Sequence, residues 1–210
     1  MRYLKIIIMG TGGIGFWLAW ILCREFGKRG VTIDLYDPDN LEGGTGATRI
    51  TGTPRTKIFK VDLCTMQIRN IMRDTVPNAY ARKFTPDDLA LYGDPAHTIL
   101  IDTSDGPMNE RREIWDRARA MGITIVRGSY EGRTEQEGGV VVVADSLPFQ
   151  KSGNNAGGYA SRPTIAASFL AAGLMGETIN ELMESGVLKG IRVEIPVTPK
   201  IVEVAHGVGE

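Results

Sequence analysis

The stretch IIIMGTGGIG, Ile6 to Gly15, decides how the rest of the chain is read. A run of β-branched residues ends in four glycines, Gly10, Gly12, Gly13 and Gly15, and a helical pattern follows at once. An unbroken apolar run of strand length, Tyr3 to Met9, predicts a strand buried on both faces, as in a parallel sheet. Glycines after such a strand permit a tight turn and let backbone N–H groups approach a phosphate. The positive end of the next helix adds to the attraction. That helix reads from Ile14 to Phe26 and stops at Gly27; a second strand, Val31 to Tyr36, is stopped by DPDN. Asp37 therefore stands at the end of the second strand, where a carboxylate can bond ribose hydroxyls. The pattern fits an adenine nucleotide, NAD as well as ATP, although the same glycines would also serve plain strand–helix packing.

Working outward, the 210 residues predict one domain, 1–210, with no linker and no repeat. The apolar fraction of 42% and charged fraction of 23% are those of an ordinary globular chain. A formal net charge of −1 argues against nucleic acid or an anionic membrane as a partner. Cys23 and Cys64 make neither a disulfide framework nor a zinc site, which points to a reducing compartment. With no leader pattern and no run of spanning length, a cytoplasmic location is expected.

Residues 40–56 read as a loop rich in Gly and Thr. Apolar residues at helical spacing predict a helix from Lys57 to Arg73. A short polar–apolar segment (Ala79 to Phe84), a short helix at TPDDLALY and a strand over 97–102 follow. A helix from Met108 to Met121 comes next, then the strands ITIVRG and GGVVVVAD. Residues 146–163 form one long stretch of low hydrophobicity. Pro163 opens a helix reaching Met183, and strand candidates follow at Ile191 to Ile195 and Ile201 to Ala205. The alternation predicts an α/β, Rossmann-like, mostly parallel sheet flanked by helices, with a short C-terminal β extension.

GTGGIG, LYDPDNLE, the arginine in GATRI, a lysine-led helix, ILIDTSDG and ITIVRGSYEG make an ordered series. It resembles the ThiF/HesA/MoeB superfamily, the fold of the ubiquitin-activating enzymes, from about residue 3 to 145. The resemblance implies a fold that binds ATP and magnesium and adenylates a carboxylate, the C-terminus of a ubiquitin-like or sulfur-carrier protein, from within a homodimer or heterodimer. It implies that Gly10, Gly12, Gly13 and Gly15 cradle the phosphates and that Asp37 binds the ribose, with Asp39 the second acid of the family's D-x-D. Arg49 matches the arginine of the family's N-x-x-R on the triphosphate. Lys57, with Lys60 as the alternative, matches the phosphate-contacting lysine. Asp105 matches the Mg²⁺-linked aspartate. This set suits adenylation, which must bring two anions together and release charged pyrophosphate. Asp102 and Asp105 also stand where they could cap the helix near Pro107.

The chain departs from the pattern in places. GGTGATR lacks the family's asparagine and offers Thr45 or Thr48. The expected reading is that the N-terminal helix donating a partner-subunit arginine is absent, as is the C-x-x-C zinc site. The loop QKSGNNAGGYASRP has no cysteine, so the chemistry is expected to stop at the acyl-adenylate or pass it to a partner. His97 and His206 read as structural or solvated, and Arg127 has no assigned role. Two other readings stand beside the enzyme: a non-catalytic nucleotide-binding subunit of the same fold, and an NAD(P)-binding oxidoreductase. Against the latter, no Tyr-x-x-x-Lys or His–Asp arrangement is placed to move a proton.

Overall fold

A computed structural model describes residues 3–42, 56–132, 139–144, 165–189 and 191–195. The apolar runs become strands β1 (Lys5–Met9), β2 (Thr32–Tyr36), β4 (Thr98–Asp102) and β5 (Thr124–Gly132). With the short strand β3 (Asn78–Tyr80) they form a parallel array in the order β3-β2-β1-β4-β5. Strands β6 (Gly139–Ala144) and β7 (Ile191–Ile195) extend it antiparallel. The α/β class expected from the alternation is the one observed, with β7 at the predicted C-terminal extension. The candidate strand at Ile201 to Ala205 and the long stretch 146–163 lie outside the described residues.

From β1 the chain winds outward to β2 and β3, then returns to lay β4 on β1's other side. The order reverses between β1 and β4, and in open α/β sheets the crevice at such a reversal, beyond the carboxyl ends of the strands, is where ligands bind. Gly10 follows β1 and Thr103 follows β4, so both open onto that crevice.

Among the described residues, four helices cover the sheet: α1 (Gly13–Phe26), α2 (Lys60–Ile71), α3 (Met108–Ala120) and α4 (Ile165–Ser185). Because side chains alternate along a strand, β1 sends Ile6 and Ile8 to one face and Ile7 and Met9 to the other. The first pair packs with Leu22 and Phe26 of α1, Ile68 of α2 and Met175 and Ile179 of α4. The second packs with Ile114 and Trp115 of α3 and with Phe84, Leu89 and Tyr92 from the segments before β4. Gly128 of β5 lies so close to Met175 of α4 that a Cβ there would overlap its sulfur, so this strand–helix approach requires glycine. Among the described residues, no helix is long and apolar enough to cross a membrane.

Three local readings change. TPDDLALY forms a 3-10 turn, Pro86–Leu91, whose capping box uses Thr85 and Asp88. The polar–apolar segment contributes an edge strand, β3, three residues long and beginning just before the predicted stretch. Helix α2 opens at Lys60 instead of Lys57, because Phe59 is held extended at the N-cap position and Asn40 bridges to it.

Candidate functional site

Gly10 has φ +89, a conformation an L-residue adopts only under strain, and a Cβ there would press on the Ser104 backbone. At Gly15 a Cβ would overlap the Gly10 carbonyl oxygen, so the turn from β1 into α1 closes on itself. Gly12, by contrast, faces open space, with no atom within 4 Å of the place a Cβ would occupy. It is the N-cap of α1, no side chain caps that end, and Gly13 is the first helical residue. The amides of the first helical turn have no acceptor within the helix, and the helix end favours negative charge. Thr103 fastens the loop from the β4 side: its N–H donates to Met9 O at 3.0 Å and its hydroxyl to Gly10 O at 2.8 Å.

Asp37 is 4% exposed. Its Oδ2 accepts from the Thr11 backbone N–H at 2.7 Å and the Thr11 hydroxyl at 3.2 Å. Its Oδ1 accepts from the Asp39 N–H at 2.9 Å. The carboxylate thus ties the glycine loop to the segment after β2. Thr11, fully buried, was missed in the sequence because it occupies a position the glycine pattern leaves open.

Lys60 resolves which lysine meets the acids. Its N–H donates to the Asp39 carbonyl at 2.9 Å, while its Nζ lies 2.6 Å from Asp39 Oδ2 and 3.8 Å from Asp37 Oδ1. The side chain is 9% exposed, whereas that of Asp39 is 57% exposed. Lys57 is exposed on the segment before α2 and lines a groove of about 940 Å³ between α2 and β3. Arg49 lies outside the described residues, as do Thr45 and Thr48.

Asp105 is exposed on the turn after β4. The N-cap position of α3 is held by Pro107, so neither Asp102 nor Asp105 occupies it. Asp102 is wholly buried and accepts from Ser104, Arg111 and Trp115. Arg127, buried beside Asp102 in the β4–β5 register, holds its guanidinium 4.3 Å from the Trp115 ring. His97 is half-buried and bonded to Asp94 at 2.7 Å; His206 lies outside the described residues. Cys23 and Cys64 are both buried, and burial pushes the Cys23 thiol up to about 12 and the Cys64 thiol further. Neither is poised as a nucleophile.

Among the described residues, no group of three or more His, Cys, Asp or Glu is arranged to hold a metal. Mg²⁺ does not require one: it is commonly held by one or two carboxylates together with substrate phosphates and water. Asp105, exposed two residues after Thr103, which holds the Gly10 carbonyl, has the donor chemistry for that arrangement.

Comparison by sequence returns no match, either to a protein-family model or to a curated protein. Comparison by structure does. Escherichia coli MccB with ATP matches at a TM-score of 0.66 and 16% identity, over 94% of this chain and 64% of MccB. MccB with AMPCPP and MccA matches at 0.63 and 14%, over 94% of this chain and 65% of that one. The E. coli tRNA N6-threonylcarbamoyladenosine dehydratase TcdA matches at 0.52 and 22%, over 66% of this chain and 57% of TcdA. The chain therefore spans less than two thirds of the length of either protein. Identities this low speak for the fold alone, and that fold is the α/β, Rossmann-like one expected from the sequence.

Proposed function

We propose, from the fold shared with MccB and TcdA, that this chain binds ATP and adenylates a carboxylate. The observation that carries the reading is the set of groups around Asp37. A buried carboxylate, a nearly buried lysine and an uncapped helix end meet beyond the carboxyl ends of β1 and β2. A nucleotide has a ribose for the acids, phosphates for the helix end and a negative charge for the lysine. MccB was solved with ATP and with MccA, which supports a peptide or protein C-terminus as the acceptor. A ubiquitin-like or sulfur-carrier protein is the corresponding acceptor for this chain.

In this reading Gly10, Gly12, Gly13 and Gly15 hold the phosphates against the first turn of α1. Asp37 keeps the loop closed and, with the exposed Asp39, faces the ribose. Lys60 gives up its bond to Asp39 and turns to the phosphates. Its charge lowers the cost of bringing the acceptor carboxylate to the α-phosphorus and of parting with pyrophosphate. Asp105 would hold Mg²⁺, which when bound supplies further neutralisation of the outer phosphates. Arg49 and Lys57 stand as additional cations for the triphosphate. The protein groups move no proton: the acceptor oxygen attacks as the anion, the bond to the β-phosphate breaks, and an acyl-adenylate and pyrophosphate result.

ATP–pyrophosphate exchange, measured with candidate acceptor peptides, tests the proposal. Exchange that disappears in Lys60→Ala and Asp105→Ala is expected. ATP binding with no exchange for any acceptor would remove the enzymatic claim and leave the non-catalytic subunit, a reading that the missing asparagine of GGTGATR favours.

A further inference from the structure

Asp102 ends β4 without any exposed surface, yet all its acceptor capacity is spent within the protein. Its Oδ1 accepts from the Ser104 backbone N–H at 2.9 Å and from the Ser104 hydroxyl at 2.7 Å. Its Oδ2 accepts from Arg111 Nε at 2.8 Å and Trp115 Nε1 at 2.9 Å, both on α3. The first pair folds the chain back immediately after the strand, as local Asp–backbone bonds do. The second pair fixes the carboxylate against a helix that cannot follow the turn. Thr103, between them, is fastened to Met9 and Gly10. The segment leading to Asp105 is therefore held at three successive residues, and Asp105 is the first on the turn to be exposed.

We propose that Asp102 is the positioning residue of the site: through Ser104 it sets the turn that presents Asp105 to a nucleotide-bound divalent cation. The inference rests on the adenylating reading. Groups that orient a metal-binding carboxylate act on affinity without touching the ion, and their loss typically costs about tenfold or more. A carboxylate whose turn is already fixed also loses less freedom on binding than one on a loose loop.

The test is Mn²⁺ binding in the presence of AMPCPP, followed by electron paramagnetic resonance on the intact chain, with thermal unfolding measured alongside. Ser104→Ala deletes one bond to Asp102 and leaves the bonds to α3. It is expected to weaken Mn²⁺ by several-fold, to about tenfold, while the affinity for AMPCPP alone stays within about twofold of the wild type. Ser104→Thr, which keeps a hydroxyl, restores Mn²⁺ binding. Asp102→Asn gives the larger loss; should it fail to fold, the Ser104 pair decides. Wild-type Mn²⁺ affinity in Ser104→Ala, or no rescue by Ser104→Thr, overturns the positioning role. A wild-type chain that takes up no Mn²⁺ with AMPCPP overturns instead the reading on which it rests.

Discussion

On one face of the sheet, α1, α2 and α4 close over Ile6, Ile8, Leu35 and Ile101, a floor of aliphatic side chains. On the other, α3 and the 3-10 turn Pro86–Leu91 close over strands that carry Asp34, Asp102 and Arg127 among their apolar residues. The first face needs only shape and volume. On the second, the buried carboxylates are bonded at both oxygens: Asp34 accepts from Asn78 and Tyr92, Tyr92 shares a hydrogen bond with Tyr36, and Asp102 accepts from Ser104, Arg111 and Trp115. Buried carboxylates are costly unless fully bonded. Asp102, at the carboxyl end of β4, ties the polar face to the site, while the apolar face holds the larger cluster of buried side chains.

The sharpest way to break this contrast is Arg111→Ala. It leaves Asp102 a buried anion without its guanidinium, a change expected to cost about 3–5 kcal/mol in denaturant unfolding. Leu22→Ala, on the apolar face, removes a fully buried side chain and should cost about 3 kcal/mol by cavity formation. It should leave the groups around Asp37 in place, so residual nucleotide binding distinguishes the two faces. A smaller effect is expected at the rim. Arg82 donates to Asp88 and holds its carboxyl below the ordinary 3.8, against the opposing effect of burial. A depressed carboxyl contributes stability above its unfolded pKa and loses it as pH falls through the folded one. Asp88→Asn should therefore cost about 1 kcal/mol at pH 7, with the gap to wild type closing only below about pH 4. The smallest effect concerns the thiols on the apolar face. Alkylating reagents at pH 8 should leave Cys23 and Cys64 unmodified in the native protein and modify both after unfolding.

The same contrast governs how much could be read from the chain. Buried parallel strands write themselves as unbroken apolar runs, and β1, β2 and β4 stand within two residues of the expected bounds. Asn78–Tyr80 has no such run: it is a three-residue edge strand whose existence depends on its register with Asp34 to Tyr36. At the site, Gly10 to Gly15 and Asp37 were legible because strand, turn and helix impose fixed spacings. Which lysine meets Asp37 and Asp39 was not, since it depends on the extended backbone at Phe59 and the bridge to Asn40. Asp102 looked like a helix cap because one dimension cannot show that Arg111 and Trp115, nine and thirteen residues on, return to it.

Calorimetric titration with ATP and with NAD, each in the presence of Mg²⁺, probes the central claim most directly. The account predicts that ATP binds, that Lys60→Ala weakens it by tenfold or more, about the loss of one charge-assisted bond, and that NAD gives no heat. Binding of NAD with no binding of ATP would contradict it.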